Sequence, residues 1–110
     1  MAKTIHGEAG ICDRIQKEAV AWCIINRVEC EWFPDNIIDV IIEPYQFHGY
    51  SPDKKPTQEE YDIAFDVIFR WMNGSSDRLL PKEYLFFYAK NGKNVFTTKF
   101  KGGKIWNAES

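Results

Sequence analysis

The chain has 110 residues, a formal net charge of −2, 45% hydrophobic and 15% aromatic side chains. That length and composition fit one domain with one real core and carry no signature of disorder. The slightly acidic balance argues against a nucleic-acid partner, because the densest positive run, residues 99–104, holds only three lysines around two glycines.

Read from the start, the first stretch of interest is "IHGEAG", residues 5–10, where Glu8 sits among the smallest side chains available. Residues 19–25, "AVAWCII", are apolar on every side and flanked by charge, which predicts a buried helix of roughly 16 residues. Asp13 is its expected N-cap, with Gln16 at the third helical position as in a capping box. Pro34 prevents the helix continuing. Residues 36–43, "NIIDVIIE", predict a short helix capped by Asp35 or Asn36 and stopped by Pro44. Residues 44–56 read as a loop, with three prolines, a glycine and the aromatics Tyr45, Phe47 and Tyr50. Thr57 and Glu60 then form a capping box ahead of a helix whose Tyr61, Ala64, Phe65, Ile68 and Met72 share one face, with Asn73-Gly74 as the stop. From residue 83 onward β-formers alternate with turn signals at Asn91-Gly92 and Gly102-Gly103, predicting a small antiparallel sheet or hairpin.

The three cysteines, Cys12, Cys23 and Cys30, make an odd count and a poor disulfide framework. On one helix Cys23 and Cys30 would lie about 10 Å apart along the axis, too far for a bridge. Free thiols are expected. His6, Cys12 and His48 match no standard zinc spacing, so neither a metal nor any other cofactor is expected. No apolar run approaches the ~20 residues of a membrane span, and "MAKTIHGEAG" holds no secretory h-region. The expectation is a chain that acts in the cytosol, leaves by a route not written in the sequence, or is one domain of a longer protein.

Three pieces, "IHGEA" with "EAVAWCIINRV" and "FPDNIIDVI", then "PYQF", then "YLFFYAKNG", occur in order across residues 3–107. Together they resemble the spore-cortex-lytic, SleB/CwlJ-like cell wall hydrolase family. The resemblance implies an α+β, mainly helical, lysozyme-like fold with a small C-terminal antiparallel sheet, spanning residues 1–110 as one catalytic domain. It implies cleavage of peptidoglycan glycan strands between N-acetylmuramic acid and N-acetylglucosamine, by a monomer acting on the bacterial cell wall. It maps the catalytic acid to Glu8 and the Q-F loop to Gln46 and Phe47. The late aromatic run maps to residues 84–88. The chain departs from the family pattern at His6, where Tyr is frequent, and at residues 87–92, where Tyr-x-Asn-Pro is common.

Such chemistry needs a carboxylic acid still protonated near neutral pH, which burial against apolar walls provides. Gly7, Ala9 and Gly10 leave room for sugar rings beside Glu8. A second carboxylate, as in standard glycosidases, has only Asp13, Asp35 and Asp39 as nearby candidates, each better read as a cap or a solvated charge. A single-acid scheme fits better: Glu8 donates a proton, then deprotonates the muramic 6-hydroxyl (the lytic transglycosylase outcome) or a water. Gln46, Phe47, Tyr50 and Tyr88 are the candidate sugar-binding residues, with local loop capping for Gln46 and a sheet or core position for Tyr88 as the plainer alternatives. Trp22 reads as core, and Asn26 and Arg27 as structural hydrogen-bonding residues. A non-catalytic glycan-binding domain of the same fold is the competing function, and it would have no need of Glu8.

Overall fold

The structure, a computed structural model, describes residues 1–42 and 55–107. Gln46, Phe47, His48 and Tyr50 lie outside the described residues. Among the described residues, four helices, α1 (Ala2–Ala9), α2 (Arg14–Val28), α3 (Ile37–Ile42) and α4 (Gln58–Met72), precede three strands, β1 (Phe86–Lys90), β2 (Lys93–Lys99) and β3 (Gly102–Ile105). The α+β, mainly helical class read from the sequence is therefore correct, including its C-terminal antiparallel sheet.

Helix α2 is the axis of the domain. Every residue from Ala19 to Val28 is buried, and the helix packs on α1, α3 and α4. All-round apolarity forces this, since no face can be left to water. Trp22, Ile24 and Ile25 are fully buried in the same cluster as Ile5, Ile63, Leu80 and Phe96. Asn26 and Arg27, the polar residues at the end of α2, are buried but bonded. Asn26 Nδ2 donates to the carbonyls of Pro81 (2.8 Å) and Tyr84 (2.9 Å), and Arg27 Nε donates to that of Leu85 (2.6 Å). These bonds suspend the chain entering β1 from the end of α2.

Local capping begins the helices as expected, with one difference. Asp13 accepts from the Gln16 backbone N–H at 2.9 Å, but the Gln16 side chain does not complete the box. Its Oε1 accepts from the backbone N–H of Asn94 in β2, at 2.8 Å. A backbone donor at the start of the strand has captured the amide, so Gln16 ties helix to sheet. Asn36 caps α3 through the Asp39 N–H, and the Thr57–Glu60 box is complete.

The buried face of α4 differs from the expected one. Glu60, Ile63, Ala64 and Val67 point inward, whereas Tyr61, Phe65, Phe69 and Met72 are 50–76% exposed. The helix carries apolar residues on two faces, and long-range partners choose between them. Glu60 Oε1 lies 2.8 Å from His6 Nδ1, and Glu60 Oε2 lies 3.2 Å from Lys17 Nζ. Bonding Glu60 to α1 and α2 rotates Phe65 and Met72 out.

The sheet runs β1-β2-β3, antiparallel throughout. The β1–β2 turn is at Asn91-Gly92 as expected, with both residues at positive φ, 53° and 77°. The second turn falls earlier than the glycine pair suggests. Lys99 pairs with Gly102, which leaves Phe100-Lys101 as the loop and puts Gly102 and Gly103 inside β3. Gly103 is required there: φ is 76°, and a Cβ would lie 2.3 Å from Thr98 Oγ1.

Candidate active site

Glu8 occupies the last turn of α1 and is half-buried. The turn is anchored from three sides. Ile5 and Ala9 are fully buried in the core. His6 holds α1 to α4 through Glu60. The end of the helix is then fastened to the β1–β2 hairpin: Asn94 Nδ2 donates to the Glu8 carbonyl at 2.9 Å, and Cys12 Sγ donates to the Gly92 carbonyl at 3.5 Å. A last-turn carbonyl has no partner within its own helix, and Asn94 supplies one. Gly10 is small for a backbone reason, because a Cβ there would come within 2.4 Å of the His6 carbonyl oxygen.

Glu60 is the most deeply buried charge of the network, with no exposed side-chain surface. Burial alone would push its carboxyl up. The Thr57 backbone N–H, His6 and Lys17 outweigh that and hold it below its ordinary value. Lys17, 8% exposed, is raised first by its hydrogen bond to Glu59 and further by Glu60. This junction joins α1, α2 and α4 directly behind the turn bearing Glu8.

The other candidate carboxylates have structural employment or open exposure. Asp13 caps α2, Asp39 accepts from Asn36 Nδ2 at 2.8 Å, and Asp35 is exposed. Among the described residues no group of three or more His, Cys, Asp or Glu is placed to hold a metal ion, and His6 is engaged with Glu60. The three cysteines are free, and burial pushes the Cys23 thiol up to about 11. Among the described residues no helix is long and apolar enough to cross a membrane.

Tyr88 lies on the face of the sheet away from Asn94. Asn94, which reaches the Glu8 carbonyl, pairs with Ala89 and is buried against the helices, whereas Tyr88 pairs with Val95. Side chains alternate along a strand, so Tyr88 takes the opposite face from Asn94. There it lines a cavity of about 880 Å³ with Arg27, Phe86, Phe100, Lys101 and Gly102, among others. Of these only Tyr88 is a site residue evident in the sequence.

Residues 13–107 match the family model described as Cell Wall Hydrolase. The chain belongs to the cell wall hydrolase family. The enzyme is thus a cell wall hydrolase, with Glu8 five residues ahead of the matched region. The fold is similar to the crystal structure of the catalytic domain of the Bacillus cereus SleB protein, at TM-score 0.64 and 24% identity over 87% of this chain and 84% of that one. No curated protein matches the chain.

Proposed function

We propose that this cell wall hydrolase, as a single catalytic domain over residues 1–110, cleaves peptidoglycan glycan strands between N-acetylmuramic acid and N-acetylglucosamine with Glu8 as its one acid/base. The observation that carries the reading is the placement of Glu8. It stands half-buried on a helix end held by core packing, by the His6–Glu60 contact and by the Asn94 bond. A proton donor must be held in fixed geometry against the leaving oxygen, and a carboxylate on a clamped helix turn meets that need better than one on a loop.

In this scheme Glu8 protonates the N-acetylglucosamine O4 as its bond to muramic C1 breaks. The resulting carboxylate takes the proton of the muramic 6-hydroxyl, whose oxygen closes on C1. Glu8 is thereby reprotonated and the product is a 1,6-anhydro sugar. The structural roles of Asp13 and Asp39 favour one carboxylate over the paired arrangement. Gln46, Phe47 and Tyr50 are assigned to sugar binding on the sequence alone.

Glu8→Gln keeps the shape and removes the titratable proton. Turnover of purified peptidoglycan is expected to fall by at least ~10²-fold, the low end for general acid catalysis, with an unchanged melting curve. Mass spectrometry of the released fragments reads the chemistry directly: anhydro ends for the internal attack, reducing ends for water. Near-normal activity of a folded Glu8→Gln protein removes Glu8 from the mechanism.

A further inference from the structure

Strand β2 turns Phe96 into the core, where the ring is 1% exposed and packs on Phe87 at 5.2 Å between centres. Two residues earlier, on the same face of the strand, stands Asn94, 7% exposed. A carboxamide taken out of water there costs free energy unless it is bonded, and an apolar side chain would fill the space without that cost. The bond that Asn94 makes is to the catalytic turn: Nδ2 donates to the Glu8 carbonyl at 2.9 Å. The carbonyl does not need this for its own sake. Carbonyls in a last helical turn are ordinarily satisfied by water or by tightening of the turn.

Asn94 is itself held. Its backbone N–H donates to Gln16 Oε1 at 2.8 Å, a contact for which Gln16 leaves the capping box of α2. Two residues back, the Gly92 carbonyl accepts from Cys12 Sγ at 3.5 Å. These three contacts join positions 78, 86 and 80 residues apart. The hairpin is thus fixed to the first turn of α2 and grips the end of α1 from there. Glu8 is the last residue but one of α1, and helix ends open more readily than helix middles. An acid must stay within hydrogen-bond reach of the oxygen it protonates. A displacement of about 1 Å can lower a rate by as much as ~10²-fold.

We propose that Asn94 is a positioning residue for the reaction: its amide fixes the peptide carbonyl of Glu8, and so the point from which the acid's side chain extends, while Gln16 fixes Asn94. The proposal rests on the reading of Glu8 as the acid. It places the function of Asn94 in the orientation of Glu8, not in contact with the sugar. A purely structural Asn94 would do no more than stabilise the helix end.

The test is steady-state kinetics on soluble glycan oligomers prepared from peptidoglycan, with a urea midpoint for every protein. Asn94→Ala and Asn94→Leu both remove the donor, and the leucine keeps the space filled. Each should lower kcat about tenfold and leave KM within about twofold, the pattern of an acid that is misplaced and not of a sugar contact that is lost. Gln16→Ala should act in the same direction, less strongly. Val67→Ala, a core change away from this contact, should lose stability with kcat unchanged. The deciding measurement is the double variant Glu8→Gln/Asn94→Ala. If Asn94 acts through Glu8, the double variant should turn over at the rate of Glu8→Gln alone, because residues that work as a unit are not additive.

Normal kcat in the folded Asn94 variants overturns the proposal. So does a raised KM at unchanged kcat, or an Asn94→Ala loss that is as large in the Glu8→Gln background as in the unaltered chain. If neither Asn94 variant folds, Gln16→Ala, a half-buried position, decides: unchanged kcat there overturns it. The two readings fail differently. Normal turnover in Glu8→Gln removes the acid, and with it anything for Asn94 to position. An inactive Glu8→Gln beside fully active Asn94 variants leaves the acid in place and removes the positioning role alone.

Discussion

Gly10 shows how closely backbone and site are fitted. It follows α1 at φ −60° and ψ −28°, a helical conformation that any residue adopts. Conformational freedom is therefore not why glycine is there. The added Cβ at 2.4 Å from the His6 carbonyl is the reason, and backbone cannot step aside as a flexible side chain can. Relief would require α1 to shift, taking with it both the His6–Glu60 contact and the turn that carries Glu8. Gly10→Ala is expected to cost about 1–3 kcal/mol, the usual range for overpacking, read as a lower urea midpoint. Activity per folded molecule should fall too, because the strain is released through the catalytic turn. An unchanged midpoint would show that the turn absorbs a methyl group freely.

Helix α4 makes the same point for an element. Its outward aromatics Phe65 and Phe69 stack at 6.0 Å in the open, while the modest Val67 is fully buried. Val67→Ala should cost about 1–2 kcal/mol through lost burial and a residual cavity, and Phe65→Ala less than about 0.5 kcal/mol, as for other surface changes. The reverse order in chemical denaturation would restore the face suggested by hydrophobic spacing. That spacing failed here because Glu60 takes its partners from residues 54 and 43 positions away, His6 and Lys17, and no local pattern encodes them. Where the cause is local, the sequence was legible: Asp13, Asn36 and Thr57 begin their helices, and Asn91-Gly92 turns the hairpin. Glu8 was legible through its small neighbours and the ordered motifs around it. The cavity was not, because Arg27 and Phe86 meet only after α2 and β1 have packed, and Phe100 reaches the tip of its turn because the pairing leaves Gly102 and Gly103 inside β3.

At the scale of the molecule, one ionic junction couples three helices. Glu60 holds α1 through His6, α2 through Lys17 and its own helix through the Thr57 N–H. Its folded carboxyl lies below the ordinary value of 4.5. The folded state therefore binds a proton less readily than the unfolded chain, and the stabilisation is present above about pH 4.5 and is lost as the pH falls through the folded value. Lys17 titrates in the opposite sense. It is raised above 10.5, so its contribution is complete below that pH and disappears as the pH rises through its folded value. Between these limits both groups are charged and the three helices are held together. The melting temperature should accordingly be level across the neutral range on account of this pair and decline in acid. Glu60→Gln separates the junction from other acid-sensitive groups. It leaves the buried Lys17 ammonium with Glu59 alone, and should cost about 2–4 kcal/mol at pH 7, somewhat less than breaking a wholly buried pair. Below pH 4.5 the unfolded chain takes up a proton that the folded carboxyl resists, so towards pH 3 the gap between the two proteins should narrow. Thermal melts of both proteins at pH 7 and pH 3 decide it: a gap that stays constant or widens in acid would mean that the charge on Glu60 is not what binds the helices behind Glu8.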